Sequence, residues 1–122
     1  MIFVFGSNLA GRHGKGAALD ARKKHGAVYG VGQGRTGNSY AIPTKDEALN
    51  VLPIYEINYY VEDFIKYASA HPHLKFNITR IGCGLAGYSD KEIAPLFTSA
   101  PKNCILHPIW EEILRPTKTY SL

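Results

Sequence analysis

The sequence has little of what a metal site or a disulfide framework requires. Only two cysteines, Cys83 and Cys104, occur in 122 residues, and the five histidines show no H-x-x-x-H spacing. A tetrahedral zinc site needs four such ligands at fitting spacing, so we expect no metal centre and no cofactor. Each cysteine stands among apolar residues, which predicts buried, reduced thiols.

Long apolar runs are also lacking. No stretch reaches the roughly 18 apolar residues of a membrane helix, so we expect no membrane partner. The start, Met1–Phe5, has no basic segment of the kind that opens a signal peptide. With 45% hydrophobic residues and a net charge of +4, the chain is unlike a disordered protein. We expect a cytoplasmic protein with a single domain over residues 1–122 and allow a flexible tail over 115–122.

Negative charge is scarce beside one glycine-rich segment, where basic residues collect. The net charge of +4 is modest, and its basic side chains concentrate at Arg12, Lys15, Arg22, Lys23 and Lys24. Such local basicity suits an anionic small molecule as well as a nucleic-acid backbone. Nucleic-acid binding through a helix over 16–25 is the less favoured of the two, and the oligomeric state is left open.

Hydrophobic patterning predicts alternating strands and helices. A strand over 1–5 precedes a helix over 16–25 that Gly26 ends, and residues 26–38 are expected to form a loop. The clearest helix, over 57–71, has Ile57, Val61, Phe64, Ile65 and Ala68 on one face. Further strands are expected over 39–42, closed by Pro43, over 76–81 and over 104–106. A helix capped by Ser89 and Glu92 and shortened by Pro95 is also expected, as is a helical turn over 110–114. The fold class is therefore α/β with a mostly parallel sheet.

Two glycine-rich loops follow strands of this sheet and are the main functional signal. Residues 6–15 follow the first strand and residues 82–88 follow the third, at the edge where α/β folds bind ligands. Both lead into helices, whose free N–H groups favour phosphate. The first loop is not a Walker A loop, because it lacks the Lys-Ser/Thr ending. A G-x-G-x-x-G pattern occurs at residues 32–37, but it precedes a strand and does not open a helix, so we expect a flexible flap there and not a dinucleotide-binding loop. Two such loops favour a diphosphate held between helix N-termini.

Three segments occur in the order seen in a known family. They are Gly14-Lys-Gly-Ala-Ala18, Ile42-Pro-Thr-Lys45 and Arg80-Ile-Gly-Cys-Gly-Leu85. These segments resemble macro domains, most closely the branch that contains terminal ADP-ribose protein glycohydrolases, over most of residues 3–106. The resemblance implies a three-layer α/β/α sandwich and a cleft that binds ADP-ribose or a related nucleotide diphosphate.

The resemblance also implies roles for individual residues. Lys45 falls on the position of a lysine nucleophile and Asn8 on that of an asparagine directed at the distal ribose, while Asp90 is a third catalytic candidate. The implied ligand-binding residues are Ser7, Asn8, Gly14, Lys15, Gly16, Ala17, Gly82, Cys83, Gly84, Leu85, Ala86, Gly87 and Tyr88.

The sequence departs from the family where carboxylates are expected. Ala86 stands where the glycohydrolase branch has an Asp, and Ala18 stands where many other macro domains have one. Asp90 is most simply a residue of a helix first turn and is the alternative source of the missing carboxylate. His13 is a loop residue that is a candidate for contact with phosphate or for general-base chemistry. Two functions stay open: hydrolysis of an ADP-ribosyl bond, and binding of a nucleotide signal without turnover.

Overall fold

One five-stranded sheet runs through residues 1–116, the part of the chain that the computed structural model describes. The strands are β1 (Ile2–Asn8), β2 (Gly34–Thr36), β3 (Ser39–Lys45), β4 (Phe76–Ile78) and β5 (Cys104–Ile105). Their spatial order is β2-β3-β1-β4-β5, with β2 antiparallel to β3 and the other neighbours parallel. Of the predicted tail, residues 117–122 lie outside the described part.

Helices cover both faces of this sheet. They are α1 (Gly16–Lys24), α2 (Ile54–Ala70), α3 (Asp90–Ile93), which continues as a 3-10 turn (Ala94–Phe97), and α4 (Pro108–Leu114). The architecture is α/β with a mixed sheet, and it is compatible with a three-layer sandwich. Within residues 1–116, no helix combines the length and the apolar character needed to cross a bilayer.

The larger core lies between the sheet and α2. Ile57, Val61, Phe64 and Ala68 are buried along one face of that helix, which confirms the predicted amphipathic pattern. The ring of Phe64 packs edge-on against Phe76 of β4 at a centroid distance of 5.3 Å. Packing of this helix therefore fixes the central strands from one side.

Small side chains hold α1 close to the opposite face. Ala18 and Ala21 of α1 are buried with Phe5 of β1 and Ala41 of β3 in a separate cluster. Alanine lets a helix backbone approach a sheet closely, and it has the highest helix propensity. The helix ends before Gly26, which takes the predicted left-handed conformation with φ of 78°.

The structure corrects two expectations about β2 and β3. Residues 26–38 were expected to form a loop, but Gly34–Thr36 pair with Ala41–Ser39 across a turn at residues 37 and 38. A three-residue edge strand is too short to show an alternating pattern. The strand expected to close at Pro43 continues to Lys45. Proline is tolerated there because the antiparallel pairing with β2 ends at Ala41, so the β2 side of the ladder needs no N–H from Pro43.

The strand expected over 76–81 is shorter in the structure and spans only Phe76–Ile78. The ladder ends at Ile78, and the Thr79 hydroxyl donates to the Val4 carbonyl at 2.7 Å as the chain turns away. The predicted capping box of α3 is confirmed, since Ser89 and Glu92 each accept from the other's backbone N–H. Pro95 converts the end of this helix into the 3-10 turn.

Glycines fix the first loop by letting two backbones touch. Gly11 has φ of 69°, and a Cβ built on it would lie 2.2 Å from the carbonyl carbon of Gly30. A Cβ on Gly32 would lie 2.2 Å from the Asn8 carbonyl oxygen. The Ser7 hydroxyl also donates to the carbonyl of Gly32. The segment around residues 30–32 therefore forms a backbone wall behind the first loop.

We predict that Gly11→Ala lowers the free energy of unfolding by about 1–3 kcal/mol, because an added methyl has no space between the two backbones. The matched control is Gly14→Ala, since a Cβ on Gly14 meets nothing within 4 Å. Urea unfolding of both variants checks this, and equal midpoints would contradict the close approach.

Candidate functional site

Three chain segments meet where the parallel strands end. The first loop (residues 9–15) follows β1, Lys45 ends β3, and the second loop (residues 79–88) follows β4. Because β1, β3 and β4 run parallel, their carboxyl ends share one edge of the sheet. Between these segments lies a cavity of about 650 Å³. The structure thus brings the two glycine-rich loops together as the sequence predicted.

Positive charge dominates the wall of this cavity. Arg12, Lys15, Lys45 and Arg80 line it, and among the described residues no Asp or Glu does. Within residues 1–116, Arg80 forms an ion pair and the other three cations form none. A concave wall with charge of one sign concentrates ligands of the opposite charge. The cavity is therefore suited to an anion.

The beginning of α1 adds hydrogen-bond donors to the same wall. Gly16, Ala17 and Ala18 line the cavity, and Lys15 at the N-cap position makes no side-chain hydrogen bond to the helix. The first turn also contains no acidic residue. The first N–H groups of a helix have no partner within the helix and attract phosphate. The cations and the helix end thus favour the same kind of ligand.

Asn8 lies in the wall, but its amide already shapes the first loop. Its Oδ1 accepts from the Arg12 N–H at 2.9 Å, and its Nδ2 donates to the Arg12 carbonyl at 3.0 Å. An amide has two N–H donors and two acceptor lone pairs. One donor and one lone pair of Asn8 are left for a ligand, so the ribose contact implied by the resemblance stays a prediction.

Lys45 lies next to Asn8, its partner on the neighbouring strand, and precedes a hydrogen-bonded turn. Its carbonyl accepts from the Leu9 N–H at 3.0 Å, which ties β3 to the first loop. The turn that follows is held by Asp46, whose Oδ1 accepts from the N–H groups of Ala48 and Asn50, each at 2.9 Å. It presents Leu49 to the cavity with φ of 68°, a conformation rare for a side chain of this kind.

Part of the second loop faces the cavity and part faces the protein. Gly82, Gly84, Leu85 and Ala86 line the wall. Cys83, Gly87 and Tyr88, also predicted as ligand-binding residues, are not among the lining residues.

Side-chain contacts explain where Cys83 and Tyr88 lie. The Tyr88 hydroxyl donates to the Leu52 carbonyl at 2.6 Å, and both side chains pack against the larger core. Burial raises the pKa of Cys83 to about 11, so this thiol is protonated at neutral pH and is no nucleophile.

Asp90 also lies outside the cavity wall. Its carboxylate accepts from Arg80 Nε at 2.8 Å and Nη2 at 2.6 Å, and from the Trp110 indole N–H at 2.7 Å. The hydrogen bond from Arg80 is the main reason why the pKa of Asp90 falls to about 2. An ionised carboxylate used in this way is poorly suited to act as an acid, and the carboxylate missing at Ala86 is not replaced by direct contact.

His13 is buried in the protein and does not line the cavity. Its side chain is fully buried, and its ring meets the edge of Phe5 at 5.3 Å. Desolvation by burial lowers its pKa, so the ring is neutral at pH 7. The expected contact between His13 and phosphate has no support in this geometry.

Several wall residues were missed by sequence reasoning. Lys15 was predicted as a ligand-binding residue and Arg12 was noted only as local basicity, but Thr44, Leu49, Thr79 and Arg80 were not assigned to the site. The signal available for Thr44 was its place beside Lys45, and for Thr79 and Arg80 it was their place shortly before Gly82. Leu49 carries no sequence signal, because its exposure depends on the turn built by Asp46.

Comparisons with protein-family models, with curated proteins and with solved structures returned no match to this chain. Among residues 1–116, no group of three or more His, Cys, Asp or Glu side chains has the arrangement of a metal site.

We predict that Asp90→Asn makes the free energy of unfolding depend less steeply on pH in the acid range. The pKa of Asp90 in the folded protein is about 2, below its ordinary value of 3.8. The ionised carboxylate therefore stabilises the fold at pH values above 3.8, and this contribution is lost as the pH falls toward 2. Urea unfolding at several pH values between 2 and 5 checks this. The free energy of unfolding should fall less steeply with decreasing pH in the variant than in the original chain, and equal slopes would contradict the ion pair.

Proposed function

We propose that this protein is a macro-domain-like binder of ADP-ribose or a related nucleotide diphosphate. The observation that carries the proposal is the composition of the cavity wall. Four cations and the start of α1 line it, and among the described residues no carboxylate does. A diphosphate carries the negative charge and the acceptor oxygens that such a wall favours.

The size and place of the cavity support a nucleotide over a simple ion. A volume of about 650 Å³ lies within the range of roughly 300–1,000 Å³ typical of small-molecule sites. Glycines on both sides, Gly14 and Gly84, leave open space where a side chain would otherwise stand. The exposed side chains of Leu49 and Leu85 add apolar surface at the same wall.

The resemblance of three segments to macro domains supports the same ligand. The resembling segments around Gly14–Ala18, Lys45 and residues 80–85 contribute to the one cavity, and the helices cover both faces of a mostly parallel sheet. The three-layer macro-domain fold and the cytoplasmic location expected from the sequence belong to this proposal.

We predict that the protein binds ADP-ribose and that Gly84→Leu weakens binding at least tenfold. Gly84 lines the cavity, and its Cβ direction is open, so a larger side chain fills ligand space without straining the fold. Calorimetric titration measures both affinities.

Ala70→Leu, at an exposed position on α2, is the matched control and should bind like the original chain. Absence of binding by the unmodified protein would contradict the choice of ADP-ribose. A Gly84→Leu variant that binds normally would instead place the ligand outside this cavity.

Hydrolysis of an ADP-ribosyl bond is the second candidate, and Lys45 is the observation that favours it. This lysine lines the cavity. In this route the Lys45 amine forms a bond to the anomeric carbon of a bound ribose while the bond to the attached group breaks, and water then hydrolyses the lysine adduct and frees the amine. Among the described residues no carboxylate lines the wall, so the amine has no carboxylate there to act as its acid or base. Binding without turnover is therefore the favoured form of the proposal.

We predict that ADP-ribose is recovered intact after incubation and that Lys45→Ala weakens its binding about threefold to tenfold, as the loss of one hydrogen bond of ordinary strength does. Chromatography of the ligand and titration of the variant test the two statements. Release of ADP-ribose from a modified protein by the original chain, abolished in Lys45→Ala, would establish the hydrolase instead.

A further inference from the structure

Among residues 1–116, Arg80 is the one cation of the cavity wall that an ion pair holds in place. It stands at the start of the second loop, lines the cavity, and keeps 41% of its side chain exposed. Its guanidinium meets Asp90 through two parallel hydrogen bonds, from Nε at 2.8 Å and from Nη2 at 2.6 Å. A fork of this kind sets both the position and the plane of the guanidinium.

Asp90 is itself anchored to the core. The indole N–H of Trp110 donates to its Oδ1 at 2.7 Å, and Trp110 is fully buried against Phe97. The carboxylate also stands at the first position of α3, where the helix dipole favours negative charge. Three elements, the second loop, α3 and α4, are thus joined through one carboxylate.

The ion pair leaves most of the guanidinium donors unused. A guanidinium has five N–H donors, and Asp90 takes two of them. The ion pair leaves both donors of Nη1 and one of Nη2, on a residue that lines the cavity. Arginine held in this way suits a phosphate group better than a mobile lysine, because less freedom is lost on binding.

We propose that Arg80 contacts the ligand and donates to a phosphate group, and that Asp90 is a positioning residue acting through Arg80. The inference rests on the proposed function, because it places the anion in the same cavity. It assigns a direct ligand contact to a residue that the sequence did not assign to the site, and it gives Asp90 a role other than the catalytic one expected from the sequence.

The first test compares Arg80→Gln and Arg80→Lys in titrations with ADP-ribose and with inorganic pyrophosphate. We expect Arg80→Gln to weaken both about 10- to 100-fold, the loss expected for a charge-assisted hydrogen bond. Arg80→Lys should fall between Arg80→Gln and the original chain, since it keeps the charge and loses the fork. Arg115→Gln is the matched control, because Arg115 also pairs with a carboxylate, Glu111, but does not line the cavity.

The second test is a double-mutant cycle with Asp90→Asn, in which the amide oxygen still accepts from Trp110. If Asp90 acts through Arg80, the single variant weakens pyrophosphate binding, and the same change made in Arg80→Gln has no further effect. Equal losses in both backgrounds would overturn the positioning role. Thermal unfolding of each variant separates loss of binding from loss of folded protein.

The outcomes separate this inference from the proposed function. If the original chain binds ADP-ribose and Arg80→Gln binds it within twofold, the inference fails and the proposed function stands. If pyrophosphate binds in an Arg80-dependent way and ADP-ribose does not bind, the inference stands and the proposed ligand fails. If neither probe binds the original chain, both fail.

Discussion

The site depends on the position of β1 at the centre of the sheet. β1 pairs in parallel with β3 on one side and with β4 on the other, so the loops that follow β1 and β4 and the last residue of β3 leave the sheet side by side. Its alternating side chains supply both cores, since Val4 faces α2 and Phe5 faces α1. A strand buried on both faces cannot slip by one residue without exchanging the two cores.

The cavity wall concentrates charge that the fold alone does not neutralise. Arg12, Lys15 and Lys45 stand without ion-pair partners among residues 1–116, next to the positive end of α1. Like charges brought together by folding oppose the compact state. A bound anion relieves this repulsion and stabilises the folded protein by mass action. The same arrangement that suits the cavity to an anion thus couples the proposed binding to stability.

Sequence patterns were sufficient for the parts of the fold that have a clear period or a local chemical cause. The buried face of α2, the capping box at Ser89 and the two glycine loops at strand ends were all predictable in this way. The extension of β3 through Pro43 and the short β2 were not, because both depend on which neighbour a strand has.

The same distinction applies to the site. The sequence predicted a glycine-rich site for an anion and several residues of the cavity wall, among them Asn8, Lys15 and Lys45, but it also predicted Asp90, which lies outside the wall. The position of Asp90 follows from a contact with Trp110, twenty residues away along the chain. Such a contact depends on how α4 docks, and no local pattern reports it. The orientation of Tyr88 toward Leu52 and the burial of His13 are hidden from the sequence for the same reason.

Four glycines in and behind the two loops form two pairs that differ in how evolution can use them. Gly11 and Gly32 stand where another backbone leaves no room for a Cβ, whereas Gly14 and Gly84 face empty space with ordinary backbone angles. The first pair belongs to the scaffold and the second to the cavity surface. Descendants of this chain can therefore acquire side chains at the second pair and change their ligand, while the frame around the cavity is inherited intact.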